Sequence, residues 1–201
     1  MIESAVRPTA ARIQNAALAL FARQGYEATT LAQIADAVGI RKPSLYNHIQ
    51  HKEGLYLALV DQVEAQFFAV QDASLSATAG AALNERLYRL ITDLSDFIFT
   101  EDSGAFYKRC LLFPPDALAD EVRAVNDRSE ARIDTALRAL HAQGVTEGHW
   151  RSADERVFLD AFYCLMDGLY SERFIYSRAE YTRRLASAWR VFWRGVSHTP
   201  D

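Results

Sequence analysis

Proline and glycine are scarce in this sequence of 201 residues, which contains five prolines and nine glycines. Both residues interrupt helices and supply most tight turns, so their scarcity excludes a fold of many short strands joined by turns. Alternation of apolar and polar residues, the pattern of half-buried strands, does not recur along the chain. The sequence therefore predicts an all-α protein with few interruptions.

Cysteine is also rare. Cys110 and Cys164 are the only two cysteines, and both lie in apolar runs with helical spacing. We expect two buried, reduced thiols, as in a cytoplasmic protein; a redox-sensing pair is an alternative that the sequence leaves open.

Long apolar runs are absent as well, because no run approaches the roughly 20 residues that a membrane-spanning helix requires. The first residues are polar and include a proline, which is unlike a secretory signal peptide. We therefore expect a cytoplasmic location and no membrane partner.

Motifs of catalysis are missing too. The sequence has no glycine-rich phosphate loop, no His-Glu-x-x-His pair and no nucleophile elbow. His141 and His149 have no carboxylate or cysteine at metal-ligand spacing, and we expect both on the surface. We predict no catalytic residue, no metal and no cofactor; an all-helical enzyme is the alternative from another class.

The charge is unevenly distributed. Residues 1–60 contain six Lys or Arg and four acidic residues, a charge of +2, although the whole chain carries -4. A basic segment on an acidic protein suits a phosphate-binding surface that is confined to one face.

Three helices are predicted in the N-terminal quarter, one over Thr9–Gln24 and two short ones over Leu31–Val38 and Lys42–Ile49. Thr9 is a candidate N-cap of the first helix, and Thr30 with Gln33 forms a capping box at the second. Gly25 and Gly39 follow the first two helices in the position where a left-handed residue ends a helix. Two short helices around such a turn are typical of a helix-turn-helix, whose second helix enters the major groove of DNA.

The outward side chains of the third helix can bond phosphates and base edges, since Arg and Lys suit guanine and Asn suits adenine. These side chains are Arg41, Lys42, Ser44, Tyr46, Asn47 and His48.

The segment 28–53, ATTLAQIADAVGIRKPSLYNHIQHKE, closely resembles the DNA-binding domain of the TetR family of repressors, from about Ile13 to about Leu59. The resemblance implies that Thr30 and Lys52 contact phosphates, and that Tyr46 and His48 contact the DNA backbone. Together with the outward side chains of the third helix, it leads us to predict DNA contact by Thr30, Arg41, Lys42, Pro43, Ser44, Tyr46, Asn47, His48 and Lys52. In this family Ser or Thr caps are frequent where Arg41 and His51 stand here.

The remaining sequence predicts a C-terminal helical bundle, for a total of about nine helices. We expect helices over Lys52–Gln71, Leu83–Phe99, Ala105–Phe113, Ala117–Gln143, Ala153–Tyr176 and Glu180–Val196, with a loop over 72–82. The expected domains are 1–52 for DNA binding and 53–201 for ligand binding and dimerisation.

The last two helices each carry a wide apolar surface that one chain cannot cover on all sides. We predict a homodimer through these helices, which the resemblance also implies; core helices of a monomer are the alternative. A dimer would read a near-palindromic operator with half-sites about 34–36 Å apart.

Aromatic residues are concentrated in the C-terminal part, and some are expected to line a pocket for an unknown small apolar or aromatic inducer. The candidates are Phe97, Phe106, Tyr107, Cys110, Phe113, Phe162, Tyr163, Met166 and Tyr170. Lys108 and Arg109 are expected as a solvated surface pair, the alternative being that they neutralise an acidic ligand. We therefore predict a repressor relieved by a ligand. The alternatives are an activator and a DNA-binding protein that responds to a protein partner or to nothing.

Overall fold

The computed structural model describes residues 8–100, 102–151, 154–172 and 174–198. These residues form nine α-helices and one 3-10 turn, with no strand beyond a single bridge between Trp150 and Ser197, so the predicted all-α fold is confirmed. The helices are α1 Thr9–Ala28, α2 Leu31–Val38, α3 Lys42–Leu45, α4 Lys52–Ala77, α5 Leu83–Thr100, α6 Asp102–Leu112, α7 Ala119–Thr146, α8 Glu155–Glu172 and α9 Arg178–Val196, with the 3-10 turn at Asp116–Leu118. Within the described ranges, no helix has the length and apolarity needed to cross a membrane.

The packing contacts divide the described residues into two compact units. The N-terminal unit contains the described residues up to Ala65 together with 102–124, and the C-terminal unit contains 66–100 and the described residues from Val125 onward. The N-terminal unit therefore includes α6 and the first half of α4, which lie beyond the predicted boundary at residue 52. The assignment of DNA binding to 1–52 stays a prediction about function.

Aromatic rings form the core of the N-terminal unit. The ring of Phe21 in α1 lies 5.0 Å from that of Tyr56 in α4, and the Tyr56 ring lies 5.1 Å from that of Phe106 in α6. Tyr26 packs against the same Tyr56 ring at 5.0 Å. Edge-to-face pairs of this kind add to the stabilisation from apolar burial. They join α1, α4 and α6 into one hydrophobic core.

A second aromatic cluster holds the C-terminal unit together. The Trp150 ring stacks 5.8 Å from His141 of α7 and lies 5.0 Å from Phe158 of α8 and 5.7 Å from Trp193 of α9. The Trp150 indole N–H donates to the backbone carbonyl of His141 at 2.8 Å. Gly144 makes this packing possible, because a Cβ at that position would lie 2.3 Å from the indole ring.

Several predicted helix bounds are wrong. The segment 72–77, expected in a loop, extends α4, because its alanines and Leu75 continue the helix and the serines do not break it. At the start of α1, Pro8 holds the cap position and Thr9 is already helical, without a side-chain cap. Gly25 does bend the chain as expected, but its φ of 80° and ψ of 177° lie outside the left-handed helical region, and a further turn follows to Ala28.

Three burial predictions are also wrong. Cys164 is exposed on α8, whereas Cys110 is buried as expected. His141 and Lys108, predicted on the surface, are only 3% and 5% exposed. Which side of each of these helices is covered depends on the helices packed against it, and one side chain in the sequence does not reveal it.

Candidate nucleic-acid interface

Helix α2 begins with the predicted capping box. The Thr30 hydroxyl accepts from the Gln33 backbone N–H at 3.2 Å, and the Gln33 side-chain oxygen accepts from the Thr30 backbone N–H at 2.8 Å. The helix buries Ile34, Ala35 and Val38, as its apolar spacing predicts. Thr30 itself is exposed, so the start of α2 is fixed and faces solvent.

The turn between α2 and α3 depends on Gly39, whose φ of 75° and ψ of 34° are left-handed, as predicted. Its N–H satisfies the carbonyl of Asp36 at 3.0 Å. The following helix is shorter than expected, because α3 ends at Leu45 rather than Ile49. Residues 46–48 continue as tight turns, with the His48 N–H donating to the Leu45 carbonyl at 2.9 Å.

We call residues 41–48 the recognition segment. Leu45 is its buried anchor, with no exposed surface. The other side chains point to solvent, and within the described residues they make no hydrogen bond or ion pair with one another or with the rest of the protein; they are Arg41, Lys42, Pro43, Ser44, Tyr46, Asn47 and His48. A buried anchor with a surrounding row of free donors and acceptors is suited to binding an external polar surface.

Two side chains of α1 brace this arrangement, and the sequence patterns did not single them out. The guanidinium of Arg12 donates to the Val38 carbonyl, one of the unsatisfied carbonyls at the end of α2. The Gln24 amide donates to the Thr29 hydroxyl and to the Gln33 side-chain oxygen, both at 3.2 Å. Both side chains extend from α1 toward Leu31–Val38. Contacts between two helices depend on the tertiary structure, so no local sequence signal marks these residues.

Helix α4 begins with an unusual cap. The Nδ1 atom of His51 accepts from the Gly54 backbone N–H at 2.9 Å, in the position where a serine or threonine usually serves. Histidine is not among the common capping residues. Its ring fits here because the third residue of the helix is a glycine. A Cβ there would lie 2.9 Å from the imidazole, so Gly54 leaves the space for it.

Lys52, the first residue of α4, is bound to the protein itself, unlike the exposed cations of the recognition segment. Its ammonium donates to the carbonyls of Tyr26 at 2.9 Å and Thr29 at 3.2 Å. It also lies 3.8 Å from the centre of the Tyr26 ring. The side chain expected to contact phosphate is thus bound to the backbone that leads into α2.

Four of the predicted ligand residues belong to the N-terminal unit. Phe106 fills its aromatic core, and Tyr107 is buried beside it in α6. Burial raises the pKa of the Cys110 thiol to about 11, so this thiol is protonated at neutral pH. Phe113 is 70% exposed, so it lines no enclosed cavity within its unit.

The other five predicted ligand residues belong to the C-terminal unit. Phe97 and Tyr170 pack against Phe67, with ring centres 5.8 and 6.4 Å away, and Phe162 packs against Phe192 at 5.8 Å. Met166 is buried on α8. The Tyr163 hydroxyl donates to Asp134 at 2.8 Å and lines a crevice of about 360 Å³ between α7 and α8.

A larger groove of about 710 Å³ lies between α4 and α7 of the C-terminal unit, and none of the predicted ligand residues lines it. Its walls include Gln71, Leu75, Arg128, Arg132 and Ala136.

Comparison with known proteins identifies the N-terminal segment. The family described as "Bacterial regulatory proteins, tetR family" matches residues 13–59. The HTH-type transcriptional repressor ComR of Escherichia coli is 26% identical over 158 residues, 76% of this chain and 73% of ComR. The nucleoid occlusion factor SlmA of Salmonella dublin is 24% identical over 173 residues, 84% of this chain and 83% of SlmA.

Solved structures share the whole fold. The structure of AibR in complex with isovaleryl coenzyme A and operator DNA matches with a TM-score of 0.73 at 22% identity, covering 94% of this chain and all of that chain. With the capping box, the left-handed Gly39 and the exposed recognition segment in place, these similarities lead to one conclusion: residues 13–59 form a helix-turn-helix DNA-binding domain of the TetR family, in a chain whose whole fold resembles that of TetR-family transcription regulators.

Proposed function

We propose that this protein is a homodimeric repressor that binds a near-palindromic operator in double-stranded DNA and is released by a small apolar or aromatic ligand. The observation that carries the proposal is the recognition segment, whose exposed polar side chains have no partner within the described residues. Because the buried Leu45 anchors this segment, its backbone is already ordered, and the entropy lost on binding DNA is mainly that of the free side chains.

The proposed DNA contacts follow from chemistry and position. Arg41, Lys42 and Asn47 carry the donors and acceptors that match guanine and adenine edges in the major groove, and the exposed ammonium of Lys42 also suits a nearby phosphate. Thr30, Ser44, Tyr46 and His48 supply hydroxyl and imidazole groups that suit phosphate oxygens. Pro43 lies in the first turn of α3, where its missing N–H costs nothing because a backbone N–H there has no partner within the helix.

The proposal of a homodimer is supported by the outer faces of α8 and α9. The outer face of α8 carries a row of small residues at helical spacing, namely Val157, Ala161, Cys164 and Gly168. On α9 the corresponding side chains are Ala188, Val191 and Gly195. Val157 and Val191 are 56% and 74% exposed, and a Cβ at either glycine would meet nothing within 4 Å. Small side chains allow helices of two subunits to approach closely, and burial of the exposed valines favours association.

The proposal of a ligand is supported by the aromatic content of the C-terminal unit and by AibR, which has been solved with both isovaleryl coenzyme A and operator DNA. A ligand weakens DNA binding only to the extent that it prefers the conformation that does not bind DNA. We propose Phe97, Phe162, Tyr163, Met166 and Tyr170 as the ligand-contacting residues of this unit.

Selection from a random pool of double-stranded DNA at near-physiological salt tests the proposal. A recovered palindrome with half-sites about one helical turn apart would support a dimeric reader. The matched control is the double variant Lys42→Ala, Asn47→Ala, which removes two exposed side chains without partners and should fold normally while losing preference at the positions that these two residues read. If the unmodified protein recovers no consensus, sequence-specific binding is excluded.

The ligand is tested separately by thermal denaturation with isovaleryl coenzyme A and with a panel of apolar and aromatic compounds. A compound that binds only the native state must raise the melting temperature. A compound that does so and also releases the operator would support the inducer, whereas stabilisation without release would contradict it.

A further inference from the structure

The position of Lys52 presents an electrostatic problem. It is the first residue of α4, and the N-terminus of a helix carries a positive partial charge that repels a cation. The structure resolves this by binding the ammonium to the carbonyl oxygens of Tyr26 and Thr29, at 2.9 and 3.2 Å, and by placing it 3.8 Å from the centre of the Tyr26 ring. Carbonyl dipoles and an aromatic face together supply the negative potential that the helix end lacks.

The two carbonyls that bind Lys52 belong to the turn between α1 and α2. The Thr29 backbone N–H also donates to the Tyr26 carbonyl at 3.2 Å, and the buried Thr29 hydroxyl donates to the Gly25 carbonyl at 2.7 Å. The next residue, Thr30, is the N-cap of α2 and a proposed phosphate contact. The ammonium of Lys52 therefore fixes the backbone that presents Thr30 to solvent.

This geometry leaves little of the ammonium for DNA. An ammonium has three N–H donors, and two of them are already bound to carbonyl oxygens. Lys42, by contrast, is exposed and has no partner within the described residues. Lys42 and Lys52 thus differ in kind, although the sequence places both near the proposed DNA surface.

We infer that Lys52 is a positioning residue, which holds the turn 26–29 so that Thr30 and the start of α2 are presented to the DNA backbone, and that it forms no phosphate contact of its own. The inference rests on the proposed DNA binding. It predicts that loss of Lys52 weakens operator binding without changing how strongly that binding depends on salt.

Salt dependence separates the two roles. Each phosphate neutralised by a cation contributes about 0.9 to the slope of log affinity against log salt, so a dimer that loses one contact per subunit loses about 1.8. We would measure this slope for the full-length protein on its selected operator, with Lys52→Met, Lys52→Arg and the matched control Lys42→Met. Methionine keeps most of the apolar stem and removes the charge.

We expect Lys52→Met to bind about tenfold more weakly with an unchanged slope, and Lys42→Met to lose about 1.8 from the slope. Lys52→Arg should restore most of the affinity, because a guanidinium can donate to the same carbonyls. A slope lowered by about 1.8 in Lys52→Met would overturn the inference. So would unchanged affinity of the folded variant, which would leave Lys52 a purely structural residue.

Amide hydrogen exchange in the free protein gives a readout that does not depend on DNA. Lys52→Met should accelerate exchange at the Thr29 and Gln33 amides, whose acceptors belong to the turn and the capping box. Lys42→Met should leave these amides unchanged. Equal protection in Lys52→Met would overturn the inference even if the unmodified protein binds its operator, whereas failure of the unmodified protein to bind any operator would overturn the proposed function instead.

Discussion

The imidazole of His51 accepts a hydrogen bond from the Gly54 backbone N–H at 2.9 Å and so caps the first turn of α4. The imidazole lies where the glycine has no side chain, since a Cβ on Gly54 would come within 2.9 Å of it. The pair replaces the serine or threonine cap that is frequent at this position in the family, and it fixes the helix whose first residue is Lys52.

Replacing His51 by alanine removes this cap. We expect the free energy of unfolding to fall by about 1 kcal/mol, because an orphan N–H of the first turn loses its acceptor. Urea denaturation measures the change. The control is His51→Ser, which restores a cap and should cost only a few tenths of a kcal/mol. Equal destabilisation by both variants would show that the imidazole acts through packing rather than as an acceptor.

Gly144 is required by Trp150. In Gly144→Ala the new Cβ would lie 2.3 Å from the indole, so the ring must move out of a buried cluster. We expect a loss of roughly 1–3 kcal/mol in the free energy of unfolding, which outweighs the gain in helix propensity from alanine. Gly80→Ala is the control, since a Cβ at Gly80 meets nothing within 4 Å. A Gly144→Ala variant as stable as the unmodified protein would refute the packing of Trp150 on α7.

His141 makes stability depend on pH. Burial lowers its pKa below the usual 6.5, and Asp154 opposes this in part. The unfolded chain therefore binds a proton more readily than the folded one as the pH falls below about 6.5, so acidification favours unfolding. We expect His141→Phe, which keeps a ring against Trp150, to show a flatter loss of stability between about pH 7.5 and pH 5 than the unmodified protein. Parallel curves for the two proteins would contradict a neutral buried His141.

The proposed dimer face is open to a direct test. Gly168→Arg places a long cation on the outer face of α8, where a Cβ would meet nothing within 4 Å but where the side chain would obstruct a second subunit. We expect this variant to sediment as a monomer at concentrations where the unmodified protein is a dimer, and to lose operator affinity. Ala139→Arg, on the exposed face of α7, is the control and should remain dimeric. A dimeric Gly168→Arg would place the interface elsewhere.

Asn47 is expected to contribute to base recognition. Its exposed amide can form a bidentate pair with adenine, which is worth about 1–3 kcal/mol of discrimination. In repeated DNA selection, Asn47→Ala should lose preference at one position of each half-site and keep the rest of the consensus. A uniform loss of affinity with an unchanged consensus would instead assign Asn47 to the phosphate backbone.

Much of the N-terminal architecture was predictable because its signals are local. The α2 bounds, the capping box of Thr30 with Gln33, and the left-handed Gly39 all match the structure, since caps and turns act within three or four residues along the chain. The length of α3 was not predictable in this way. Residues 46–48 have no strong stop signal, and only the structure shows that the helix ends at Leu45.

The sequence by itself determined the all-α fold, the apolar faces of the helices and the residue types offered to DNA, because periodicity and side-chain chemistry are written along the chain. Only the tertiary structure decided which side chains stay free. Lys42 and Lys52 are the same residue type, but the carbonyls that bind Lys52 lie 23 and 26 residues earlier in the chain. Likewise, the sequence could not show that His141 is buried and Cys164 exposed, because burial depends on which helices pack together, and long-range packing has no local signature.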